Sequence, residues 1–83
     1  MEIKNNKLIK VTDKDIINGT VNIPNNITKI ESHAFEGCQS LKKIIIPDSV
    51  TEIGSGAFAG CNSLESINLP SGVTEIGFGA FSN

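Results

Sequence analysis

The chain has 83 residues, enough for one small domain and too few for two. With 39% hydrophobic and 19% charged residues it is neither a disordered chain nor a membrane span. A net charge of −2 without any Arg argues against general nucleic-acid binding, and one His with two Cys leaves too few ligands for a zinc site.

The start of the chain has no apolar h-region. That predicts a cytoplasmic protein, extracellular only if the 83 residues are a fragment of a larger chain. Ile, Asn and Lys, all with A/T-rich codons, occur 13, 9 and 7 times, which hints at a low-GC bacterium or phage. Residues 1–20 read as a cap. Ile3, Leu8 and Val11 flank Asn5-Asn6, and Asn tolerates the positive φ of hairpin turns. A hairpin lid over the following structure is expected. Asp13 to Ile17 reads as one helical turn ended by Asn18-Gly19. The first strand of the repeating part starts near Thr20.

From there the chain repeats. Pro24, Pro47 and Pro70 lie 23 residues apart, as do Ile30, Ile53 and Ile76, and Phe35, Phe58 and Phe81. Cys38 recurs as Cys61, Leu41 as Leu64 and Ile44 as Ile67. Residues 24–46 and 47–69 share 11 of 23 identities. Such a period marks a solenoid and falls in the leucine-rich-repeat range. Ile67 and Leu69 alternate with polar neighbours, which predicts a short strand with both inward. Pro70 ends it. Val50–Ile53 is a second extended segment rich in β-branched residues. Ala57, Phe58, Cys61 and Leu64 follow at roughly helical spacing, which predicts one helical or 3₁₀ turn.

Two parallel ladders follow, one from residues 43–46 and 66–69, the other from 27–30, 50–53 and 73–76. The expected fold is mainly β with short helical or 3₁₀ turns: a solenoid of about 2.5 coils of 23 residues, 1–83 forming a single domain. The repeats occupy 21–83, and the last is incomplete. Val73, Ile76, Phe78 and Phe81 are expected to face a missing neighbour. Phe78 stands where earlier copies have Ser32 and Ser55. It reads either as part of a covered end or as an accident of a truncated chain.

Other features have plain structural readings. His33 is replaced by Gly56 and Gly79 in later copies, as expected of a solvated loop position. Cys38 and Cys61 share a rung roughly 4.8 Å apart, close enough to bridge, but read as free core thiols. Gly54-Ser55-Gly56-Ala57-Phe58-Ala59-Gly60 lacks the Gly-Lys-Ser/Thr ending of a phosphate loop. Asn18-Gly19-Thr20 and Asn26-Ile27-Thr28 match the glycosylation sequon, which means nothing without secretion. The column Thr28, Thr51 and Thr74 reads as outward strand residues.

Ile46-Pro47-Asp48-Ser49-Val50-Thr51-Glu52-Ile53-Gly54 and Gly56-Ala57-Phe58-Ala59-Gly60-Cys61 resemble the consensus of the BspA-like, or treponemal-type, leucine-rich repeat. The segment from Ile3 to Val11 is similar to the hairpin that often opens such arrays. The resemblance implies a right-handed solenoid with a role in binding or adhesion. Members are often bacterial surface proteins, and this chain departs from them in lacking a recognisable signal and in its few repeats.

Nothing in the sequence assembles a nucleophile with its base, a metal set or a cofactor loop, so a non-enzymatic protein without cofactors is expected. The expected partner is another protein, or a second copy packed end to end, with no direct nucleic acid and no membrane. The candidate contact residues are the outward strand positions Thr20, Asn22, Lys43, Ile45, Ser66 and Asn68, with Phe78 at the open end. Charge adds Glu52, Glu65 and Glu75, because residues 44–83 carry no Lys and residues 1–43 carry all of them. That asymmetry is either scatter or a device for steering a basic partner. Two alternatives accompany the binding module: a small intracellular, phage-encoded inhibitor that blocks a host or defence enzyme, and a fragment of a longer bacterial surface adhesin.

Overall fold

The computed structural model describes residues 1–81. In chain order the elements are β1 (Glu2–Lys4), β2 (Lys7–Lys10), a 3₁₀ turn η1 (Asp13–Asp15), β3 (Thr20–Val21), β4 (Lys29–Ile30), β5 (Lys43–Ile45), β6 (Glu52–Ile53), β7 (Ser66–Asn68) and β8 (Glu75–Ile76). They form a five-stranded sheet, β1-β2-β4-β6-β8, and a three-stranded sheet, β3-β5-β7. Apart from the antiparallel β1–β2 hairpin, every paired strand is parallel, and between β3 and β8 the register repeats the sequence period. Thus Ile30 pairs with Ile53 and Ile53 with Ile76. Val21 pairs with Ile44 and Ile44 with Ile67.

The hairpin turns at Asn5 and Asn6, with φ of 53° and 64°. Two-residue turns of this kind match strand twist, and Asn is among the few L-residues that tolerate them. The hairpin is more than a lid. β2 pairs in parallel with β4, Leu8 against Ile30, so the cap supplies the first strands of the larger sheet. The expected helical turn at Asp13–Ile17 is shorter, three residues of η1. Thr12 N–H donates to Asp15 Oδ2 at 3.0 Å, and the ammonium of Met1 lies 2.9 Å from the same oxygen. The Thr12 N–H, followed by that ammonium, holds the Asp15 carboxyl below its ordinary value. Asn18 and Gly19, both at positive φ, then close a tight turn in which Ile17 and Thr20 exchange backbone bonds of 2.8 and 3.0 Å.

The strands of the larger sheet are shorter than 27–30, 50–53 and 73–76. Each proline starts a turn: Ile27, Val50 and Val73 donate to the carbonyls of Pro24, Pro47 and Pro70. Only the two residues before each Glu31, Gly54 or Gly77 position remain extended. The segment expected to hold one helical or 3₁₀ turn, 57–64, is a series of separate turns closed by bonds three residues back, of the 3₁₀ kind. Ala57, Cys61 and Leu64 donate to Gly54, Phe58 and Cys61. Gly56 and Gly60, at φ of 61° and 75°, leave the right-handed region after each turn, so no helix propagates. These turns bond to one another between coils: Phe35 N–H to the Ala57 carbonyl and Phe58 N–H to the Ala80 carbonyl, both at 2.7 Å.

The core is a set of columns. Phe35 and Phe58 stack at 4.7 Å between ring centroids, and Phe58 and Phe81 at 5.3 Å. Ile30, Ile53, Leu41 and Ile44 are buried. Cys38 and Cys61 are buried and free. Each thiol reaches the coil beneath, Cys38 Sγ 3.5 Å from the Val11 carbonyl and Cys61 Sγ 3.1 Å from that of Phe35. Burial pushes the Cys38 thiol up to about 11. Gly54 and Gly77 sit where successive backbones nearly touch. A Cβ there would lie 2.5 Å from Ser32 N and 2.4 Å from Ser55 N. The equivalent Glu31 lies over the cap, where its N–H donates to the Leu8 carbonyl, and a side chain is accommodated.

Candidate functional site

The outward positions of the smaller sheet fall into two columns. Thr20, Lys43 and Ser66 are in register, and so are Ile45 and Asn68, with Asn22 following Val21 at the cap-side end. Thr20 is half-buried; the other five are exposed. Ile45 is 53% exposed, the one apolar residue on an otherwise polar face. It borders a shallow groove of about 200 Å³ shared with Thr20, Asn22, Asn25 and Pro47.

On the larger sheet the outward column carries the charge. Lys4 pairs with Lys7, Lys7 with Lys29, Lys29 with Glu52 and Glu52 with Glu75. The sign changes between β4 and β6. There Lys29 Nζ lies 3.2 Å from Glu52 and 3.6 Å from Glu31. The hydrogen bond to Glu52, then the charge of Glu31, raises the Lys29 ammonium above its ordinary value. Among the described residues Glu75 has no ion-pair partner. An open groove of about 540 Å³ runs beside this column, its other wall carrying Ser32 and Ser55. Glu65 is exposed immediately before β7 and does not belong to the column. The register of Lys29, Glu52 and Glu75 was readable from their 23-residue spacing; the contribution of Lys4 and Lys7 was not, because it depends on the hairpin joining the sheet.

At the far end of the stack, Ile76 is 51% and Phe81 41% exposed, and Leu69, expected inward, is also exposed. Each occupies a core column whose next rung is open. Phe78 differs. Its counterpart Ser55 stays exposed although the third coil lies over it. Phe78, 94% exposed, therefore projects from the side of the coil and does not line the open core.

Among the described residues no three His, Cys, Asp or Glu gather as a metal site, and no helix is long and apolar enough to cross a membrane. His33, at φ 62°, lies beneath Gly56, 3.5 Å from Glu36.

Residues 14–83 match the BspA type leucine rich repeat region (6 copies). The chain belongs to this leucine-rich-repeat family. The match begins before Thr20 and takes in part of the cap. This BspA-type chain is also similar to the crystal structure of the leucine-rich-repeat protein of T. pallidum, with 39% identity and a TM-score of 0.66 over 69% of its own length. The aligned part spans 29% of that protein. No curated protein matches the chain.

Proposed function

We propose that this BspA-type chain is a non-catalytic protein-binding module that acts through the outward face of β3-β5-β7 and through its open end. The observation that carries the reading is Ile45. An apolar side chain more than half exposed, set between Asn22 and Asn68 and beside a groove, has the form of a contact centre: an apolar anchor ringed by polar groups. The family supports a repeat module, and repeat stacks offer such continuous faces. The test is a binding comparison with proteins retained by the immobilised chain. Ile45→Asp abolishes retention of a specific partner, and Glu36→Ala, on the turn side, does not. Retention indifferent to Ile45→Asp overturns the strand face.

The inhibitor form of this reading acts inside the cell by covering a basic surface of an enzyme, and the exposed Glu65 and Glu75 favour it. A second reading takes the 83 residues as part of a longer surface array. In its favour, the similar T. pallidum protein is matched over only 29% of its length, and the third coil is open. The mass of the native protein in its source cells separates the two: a chain of 8.8 kDa supports the small module, and a much larger one the array.

A further inference from the structure

We infer that the 83-residue chain stacks on further copies of itself head to tail, the hairpin strand β1 of one copy adding to the open edge of β8 of the next. Two columns carry the inference. Along the outward column the residues run Lys4, Lys7, Lys29, Glu52, Glu75; along the inward column they run Ile3, Leu8, Ile30, Ile53, Ile76. One more rung beyond β8, taken from the start of a second copy in the same orientation, sets Lys4 beside Glu75 and Ile3 beside Ile76. Both columns then continue unbroken.

The residues at the two ends are ready for this. Ile3 and Ile76 are both exposed in the single chain, and each would bury against the other. Ile17, 71% exposed, lies at the cap end of the smaller sheet, and exposed Leu69 lies at its open end. Within the chain the change of sign is already used once, between Lys29 and Glu52 at 3.2 Å. The junction between copies repeats that pairing with Glu75. On β1 the neighbouring Glu2 stands against Lys10 of its own hairpin.

Charge also selects among the alternatives. A two-fold contact between open ends sets Glu75 near its own counterpart and puts like charges together, which disfavours it. One between caps joins two edges that each carry both Glu2 and Lys4, and it leaves Ile76 and Glu75 uncovered. The head-to-tail contact sets Lys4 against Glu75 and covers both edges. Such a contact is heterologous. It does not close on itself, so it gives a series of growing species instead of a discrete dimer. The inference is separate from the strand-face reading, since β3-β5-β7 stays free along the stack, and it gives the open end a second copy as its occupant.

Sedimentation velocity of the 83-residue chain over a range of concentrations tests it. The expected result is a weight-average mass that rises continuously with concentration at low salt and falls back at high salt. Lys4→Glu and Glu75→Lys each weaken association by at least about tenfold, with far-UV circular dichroism unchanged. The double variant Lys4→Glu/Glu75→Lys restores it. Monomer at all concentrations overturns the inference. So does a discrete dimer, which points to a two-fold contact, or association insensitive to Lys4→Glu, which points to a contact between open ends. If both single variants weaken association and the exchanged pair fails to restore it, the Lys4–Glu75 junction is wrong.

Discussion

Phe58 shows how much one residue carries in a stack of this size. Its ring lies between Phe35 and Phe81, and the side chain is 2% exposed. Phe58→Ala removes the middle of the column and leaves a cavity between two coils. It is expected to destabilise by about 3–5 kcal/mol, read from urea unfolding. Phe81 has one ring neighbour and is open on its other side, so Phe81→Ala costs roughly a third as much. Cys38 allows a test by pH. Its thiol has an ordinary value of 9.0, and burial raises it to about 11 in the folded protein. The folded state therefore holds the proton longer than the unfolded state. The stability tied to that proton is fully present below about pH 9 and is lost as pH rises through about 11. Thermal melts across that window show a steeper fall for the natural chain than for Cys38→Ala. In the native state at neutral pH, Ellman's reagent reaches neither thiol; after denaturation it reaches both.

At the level of the coil, the closest constraint is a glycine. Gly54→Ala places a methyl 2.5 Å from the Ser32 nitrogen, and that neighbour is backbone with little room to yield. The two coils have to separate, with an expected loss of about 1–3 kcal/mol and a melting temperature lower by roughly 4–8 °C for each of them. Glu31→Ala, at the equivalent position over the cap, changes stability by less than about 1 kcal/mol. The order of the coil was legible from residue spacing alone. Prolines, isoleucines and phenylalanines repeating at one interval place the two ladders and the aromatic column without reference to geometry. The turns at Ala57, Phe58, Cys61 and Leu64 are legible in their spacing; that they stay separate is not, because it depends on the positive φ of Gly56 and Gly60. The hairpin was recognised, but its pairing with β4 was not, since a parallel pairing between residues so far apart leaves no local pattern. On the candidate surface, spacing identified the columns. Whether a column faces solvent or an absent coil depends on the turn that carries it, and so Phe78 was placed at the open core when it stands on the flank.

Over the whole molecule, stability is a sum of coils and the contacts between them. The cap covers one end of the core with the buried Leu8 and Val11, whereas Ile76 and Phe81 cap nothing. Loss of structure therefore begins at the third coil. Amide hydrogen exchange at Gly77 and Ala80 is expected to run well ahead of that at Gly54 and Ala57, although Gly77 and Gly54 donate bonds of the same 2.7 Å to the coil beneath. Phe78→Ser, by contrast, leaves the unfolding midpoint within about 0.5 kcal/mol of the natural chain, because the ring touches so little. The bonds between coils have one more consequence. Beside the strands the upper coil donates to the lower, as Thr51 does to Thr28 and Gly54 to Ile30, while Ile46 donates upward to Asn68. On the turn side the lower coil donates to the upper, as Phe35 does to Ala57 and Phe58 to Ala80. The peptide dipoles of these two sets of bonds point mostly in opposite directions along the axis. In an α-helix they add, and each end acquires a partial charge. Here the two sets oppose one another as coils are added, and the change of sign between the ends is carried by Lys4, Lys7 and Glu75.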